Sequence, residues 1–264
     1  MTLLAALLFM VVVMAAAWVW QRRAGDIGWV DVFWTFGTAA AGLSLAWMDG
    51  RGAWPRRLLV SAVVAIWALR LGLYVAVRVA RAPQEDGRYR ELREDWGAAL
   101  QPRLFRFLQV QALVSTGLAF VIALAADRPG AKVGAGDLLG VAIAVIAIGG
   151  EALADRQLAA FRRDPGNAGG ICDVGLWGWS RHPNYLFEWL GWFAYPAFAI
   201  DLSGAYPIGW WALLAPAAMF AVLRFGTGVP PLEAHMLRTR GDAFLAYRDR
   251  VPVFLPLLLR RLPS

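Results

Sequence analysis

The chain has 264 residues, of which 59% are hydrophobic and only 17% charged, and its mean hydropathy is +0.51. Soluble chains run to about 45–50% apolar and about 25% charged, so the excess needs surroundings larger than the protein's own core, which means a lipid bilayer. The 26 basic residues against 19 acidic ones fall between apolar stretches, so they read as membrane topology and no nucleic-acid partner is expected. One cysteine, Cys172, and two histidines, His182 and His235, exclude an internal disulfide and a thiolate metal cluster, and no metal centre is expected.

Crossing the hydrocarbon core takes roughly 20 apolar residues in a helix. Seven runs near that length follow one another: residues 2–20, 27–48, 58–77, 107–126, 138–153, 185–200 and 206–223. The fifth and sixth are short and can extend by a turn into the polar segment between them. No Lys or Arg precedes the first run, so it reads as a span and not as a signal peptide. The run 251–259 is too short to cross and carries Pro252 and Pro256; it is expected at the interface or folded back on the bundle. Trp18, Trp20, Trp54, Trp210 and Trp211 cluster near span ends as interfacial anchors. Loops after the odd-numbered spans hold 20 Lys and Arg, loops after the even-numbered ones 5. The expected fold is therefore an all-α integral membrane bundle of about seven transmembrane helices. Its amino terminus is outside and its carboxyl terminus cytoplasmic, as one domain over residues 1–264.

Ionisable groups inside spans are functional candidates by default, and here they are Asp31, Arg70, Glu151 and Glu188. Asp31 and Arg70 can pair across neighbouring helices, either to fix registry or to polarise a substrate. Asp155 follows Glu151 by four residues, which puts both carboxylates on one helix side, and Arg162 and Arg163 suit either phosphate contacts or positive-inside anchoring. The most specific segment runs from Gly175 to Glu188 around Ser180, Arg181, His182, Pro183, Asn184 and Tyr185. It reads as a helix start, with Ser180 as cap, Pro183 in the first turn and an anion-attracting end. Asn184 and Glu188 share a face there. The pattern at Gly134, Gly136 and Gly140 lacks a preceding strand and the spacing of a dinucleotide loop.

The Ser-Arg-His-Pro-Asn-Tyr core resembles the signature of the DUF1295 group within the steroid 5α-reductase superfamily. So do Glu85, Asp86, Arg88, Tyr89 and Arg93, the stretch from Asp155 to Gly166, and a tail with Arg224, Glu233, Tyr247 and Phe254. The resemblance covers most of residues 70–256. It implies a membrane reductase that holds NADPH in a cytoplasm-facing cavity and reduces a carbon–carbon double bond, often conjugated to a carbonyl. Hydride would pass to the β-carbon while an acid polarises the carbonyl. Cofactor contacts implied by the resemblance are Asp155, Arg162, Arg181, His182, Asn184, Tyr185, Glu188, Arg224 and Tyr247. Of these, Arg162, Arg181 and Arg224 would meet phosphates, Asn184 and Glu188 the nicotinamide side, and Tyr247 the ribose or adenine end. Steroid-reducing members polarise the carbonyl with a Gln-Glu pair in the second span and a Tyr in the third. This chain offers Asp31 and Tyr74, which with Glu188 are the catalytic candidates, and the departure leaves the lipophilic substrate open. The chain is expected to act as a monomer in a bacterial inner membrane. The tail and the Arg-His-Pro motif also resemble membrane methyltransferases of the isoprenylcysteine type, which would imply S-adenosylmethionine in place of NADPH.

Overall fold

The computed structural model describes residues 2–48, 52–130 and 132–255. Within them the chain is helical, without a strand. Helix α1 (Leu3–Ala24) starts where the Thr2 hydroxyl accepts the Ala5 N–H and stops at Gly25, whose φ of 77° is left-handed. Helix α2 is Trp29–Met48. Helix α3 (Trp54–Arg81) has Pro55 in its first turn and ends just before Pro83. The polar helix α4 (Gly87–Trp96) is capped by Asp86, whose carboxylate accepts the Arg88 N–H. Helices α5 (Leu100–Asp127) and α6 (Ala135–Arg163) follow, the latter closed at its start by Asp137 accepting the Gly134 N–H at 2.8 Å.

Among the described residues, five helical stretches are long and apolar enough to cross a membrane: Leu3–Ala24, Trp54–Arg81, Gly87–Asp127, Ala135–Arg163 and Pro207–Arg240. The expected fifth span lengthens greatly, since α6 carries the Asp155 and Arg162 segment as continuous helix. The expected sixth does not lengthen into its polar flank. It begins at Pro183 and breaks into α7 (Pro183–Gly191) and α8 (Ala194–Ala199). Pro196 accounts for the break, because it has no N–H for the Trp192 carbonyl and its ring crowds that oxygen. A 3-10 stretch, Pro207–Leu213, leads into α9 (Leu214–Phe225), and α10 (Val229–Arg240) and α11 (Asp242–Arg250) complete the chain.

Large apolar side chains face outward at helical spacing, such as Leu4, Leu8 and Val12 on α1 and Ile66, Leu69 and Leu73 on α3. An aqueous surface does not carry such continuous stripes, whereas lipid solvates them. Inside, Trp67, Trp192 and Phe198 pack in one core with α5 and α9, and Met10, Met14 and Leu104 in a second between α1, α2 and α5. Helices α6 and α7 approach so closely at Gly150 that a methyl group there would come within 2.4 Å of the Phe187 ring. The run after α11 folds back across the start of α7. Arg181 N–H donates to the Pro252 carbonyl at 2.9 Å, the Ser180 hydroxyl donates to the Val253 carbonyl at 2.9 Å, and Phe254 stacks on Trp189. Pro256 and the rest of that run lie outside the described residues.

Candidate active site

A cavity of about 370 Å³ opens among α2, α3, α5, α6, α7 and α9, under α4, α10 and α11. Its walls hold every residue singled out from the sequence as catalytic or cofactor-binding except Arg224. These are Asp31, Tyr74, Asp155, Arg162, Arg181, His182, Asn184, Tyr185, Glu188 and Tyr247. Arg224 is half-buried at the end of α9 and lays its guanidinium against the Phe225 ring, 5.2 Å from the centroid.

The ion pairs differ from the pairing expected between Asp31 and Arg70. Arg70 sits 2.6 Å from Glu151 and also bonds Asp155, so the two carboxylates on one side of α6 share a single cation from α3. Asp31 accepts instead from the Tyr89 hydroxyl at 2.7 Å and from Arg88 at 2.8 Å, both on α4. The spacing of Arg70, Tyr74 and Arg78 by four carries a signal that α3 presents a polar stripe, and the guanidiniums of Arg70 and Arg78 lie 5.4 and 5.8 Å from the Tyr74 ring centre. Burial would push the Asp86 carboxyl up, but Arg88 and Arg78 overcome it and hold the group at about 2.

Glu188 accepts indole N–H bonds from Trp67 and Trp192, each 2.9 Å, so both carboxylate oxygens are engaged. Neither indole was singled out from the sequence as its partner: the Trp67 contact joins helices far apart in the chain, whereas Trp192 follows Glu188 by four residues, a spacing that could have found it.

The helix start at Pro183 also differs from the expected cap. With proline in the first helical position the cap falls on His182, and Ser180 instead accepts the His182 N–H at 3.2 Å. Arg181 is buried and committed. Its Nε donates to Glu233 at 2.8 Å, and its terminal nitrogens to Glu233 and to the carbonyls of Arg248 and Val251. Glu233 also meets His182 Nε2 at 2.9 Å, and the His182 ring stacks on Tyr185 at 12°. Burial pushes the His182 imidazole below its ordinary value, with the Glu233 bond opposing. Tyr247 donates to the Trp177 carbonyl at 2.6 Å, and burial raises its phenol. The sequence segments Gly175–Gly178, Arg181–His182 and the tail are thus tied into one unit beside the cavity. Arg162 and Asn184, by contrast, have no side-chain partner among the described residues.

The site therefore has two kinds of wall. Towards α4 and the end of α6 it carries Arg78 and Arg88 with acidic partners, and Arg162. Deeper, Trp34, Leu71, Val75, Phe107, Val110, Val114 and Met219 make it apolar. Such a surface suits a molecule, or a pair of molecules, with an anionic part and a hydrocarbon part. No curated protein and no solved structure matches the chain. The family described as protein of unknown function (DUF1295) matches residues 17–251, and the chain belongs to that family.

Proposed function

We propose that the protein is a membrane-embedded, NADPH-dependent reductase of a carbon–carbon double bond in a lipophilic enone. The observation that carries this reading is the meeting, in one cavity, of an arginine-bearing polar wall with an apolar one. The donor set fits a phosphate-rich nucleotide: among the described residues Arg162 has no hydrogen-bond or ion-pair partner, and Arg78 has one long pair, 3.5 Å to Asp86. Arg162 and Arg78 would hold phosphates and Asn184 the carboxamide end, while NADPH when bound supplies a hydride.

The residues of the chain supply binding and orientation. Tyr74, whose hydroxyl hydrogen-bonds the Asp155 carboxylate, would turn its O–H to a substrate carbonyl. Asp31, with its oxygens on Tyr89 and Arg88, holds α4 against the cavity and is a positioning residue. Arg181 and Glu233 do the same for His182 and the tail. Glu188 lines the cavity and anchors its carboxylate on the indoles of Trp67 and Trp192 in the packed core behind it. With the amino terminus outside, the arginine-bearing wall would face the cytoplasm, where NADPH is available; the Lys and Arg distribution supports that orientation.

The test is the thermal midpoint of the detergent-purified protein with NADPH, NADH or S-adenosylmethionine, because a ligand that binds only the folded state stabilises it by about 2.7 kcal/mol at a hundredfold excess over Kd. Stabilisation by NADPH is the expected result. S-adenosylmethionine has no phosphate to engage Arg162, and stabilisation by it alone would overturn the reductase in favour of methyl transfer.

A further inference from the structure

The apolar half of the cavity holds one hydrogen-bonding side chain that the protein leaves unsatisfied. Gln111 lies on α5 beside Phe107, Val110 and Val114, all in the cavity wall. Its Oε1 is sealed from water without a partner, and its Nε2 makes no hydrogen bond among the described residues. Its neighbours in that wall cannot help. The Thr35 hydroxyl donates to the Asp31 carbonyl at 2.8 Å, and the Asp31 carboxylate is held by Arg88 and Tyr89.

Packing fixes the depth of Gln111. Gly42 on α2 lies against Ile122 on α5, where a methyl group would come within 2.6 Å of the isoleucine Cδ1. Asp31 and Gln111 lie the same number of residues back along their two helices from that contact, and both face the cavity. Equal rise per residue puts them at one level, which is the boundary between the charged wall and the apolar one. A carboxamide oxygen buried without a partner is costly to keep. A ligand that presents one polar group at that depth, with hydrocarbon beyond it, supplies what is missing.

We propose that Gln111 is a second donor, beside Tyr74, to the carbonyl of a lipophilic enone, with the hydrocarbon part of the molecule lying along Val114, Trp34 and Met219. The proposal rests on the reductase reading for the class of substrate, and on the geometry of α5 for the residue. With no partner at either end, the carboxamide can turn its N–H towards a carbonyl oxygen. Specificity follows from the asymmetry of such sites: a pocket with an amide to satisfy rejects a hydrocarbon of the same shape.

The experiment compares the detergent-purified wild type with Gln111→Leu and Gln111→Asn. Two enone probes, β-ionone and androst-4-en-3-one, are set against their deoxygenated hydrocarbons. Without ligand, Gln111→Leu is expected to melt at or above the wild-type temperature, because it removes an unsatisfied amide at nearly constant volume. The enones are expected to bind the wild type at least tenfold more tightly than the hydrocarbons. Gln111→Leu should lose that preference and Gln111→Asn keep part of it. A Gln111→Leu protein that melts lower or fails to fold assigns the amide a structural role and overturns the proposal. So does a wild type that does not distinguish enones from hydrocarbons, or a variant that keeps the distinction. The NADPH shift, measured on the same three proteins, should be equal in all of them. Its absence from all three sinks the reductase reading while leaving the enone preference as a separate result.

Discussion

Buried charge occurs at both ends of this bundle, and the two clusters are built differently. At the end where α3 and α6 begin, Arg56 pairs with Asp137 at 2.8 Å and donates to the carbonyls of Arg128, Pro129, Gly130 and Lys132. Arg128 completes the cluster with 2.9 Å to Asp137 and a bond to the Ile200 carbonyl. At the other end Arg70 serves Glu151 and Asp155, and the two carboxylates line the cavity. The first cluster saturates its donors with backbone and faces no space, so it ties loops together. The second has more carboxylate than cation and faces a cavity. A charge inside a span is therefore a weak sign of function until one asks whether it borders a space.

Breaking the first cluster should have the largest effect. Asp137→Leu leaves two buried guanidiniums without their carboxylate, and uncompensated buried charge costs about 3–5 kcal/mol. The thermal midpoint of the purified protein is expected to fall steeply, with any NADPH affinity lost only alongside folding. Arg70→Met is expected to cost less, about 1–3 kcal/mol, because water entering the cavity can solvate Glu151 and Asp155. Its NADPH-induced shift should nevertheless shrink, since two unbalanced carboxylates then face the phosphate wall. Equal damage to stability from both variants would erase the distinction between the two ends.

The same contrast explains what was legible in the sequence. Apolar runs gave the long helices, because length and hydropathy are local properties. The pairing of Glu151 with Asp155 on one side of α6 was legible for the same reason, through a spacing of four within one helix. Asp31 was legible as a buried charge but its partner was not, since that depends on α4 docking beneath α2. The break between α7 and α8 had a visible cause in Pro196, which the apolar count passes over. The cap at His182 follows once Pro183 is given the first helical position, which leaves Ser180 outside the helix. Arg181 read as a phosphate ligand from its motif, yet Glu233 and the tail carbonyls occupy it, and only the folded chain brings them together.

Arg162 and Arg181 carry that lesson into an experiment of intermediate size. Arg162→Ala removes a guanidinium with no hydrogen-bond or ion-pair partner among the described residues, so stability should stay within about 0.5 kcal/mol. NADPH affinity should drop about tenfold to a hundredfold, the range of a lost charge-assisted hydrogen bond. Arg181→Ala should instead lower the melting temperature, because Glu233 and the carbonyls of Arg248 and Val251 lose a buried partner. If the two variants behave alike by thermal shift and by calorimetry, the division of the arginines into ligand-facing and structural is wrong.

The smallest effect concerns His182, which is almost fully buried at the junction of the cavity and the tail. Its folded-state pKa lies below the ordinary value near 6.5, first because burial disfavours the imidazolium and despite the bond to Glu233. As pH falls below about 6.5, the unfolded chain takes up a proton that the folded chain refuses. The histidine's contribution is thus complete above that pH and declines below it, by at most about 1.4 kcal/mol per unit. The thermal midpoint of the wild type should fall between about pH 7 and pH 5.5 more steeply than that of His182→Asn, which keeps a polar group beside Glu233 but cannot titrate there. Parallel curves would mean that the folded and unfolded chains take up the proton alike, and a shallower fall for the wild type that Glu233 holds the imidazole charged in the folded protein, which would make the ring a donor at both nitrogens and change what a ligand in the cavity must offer it.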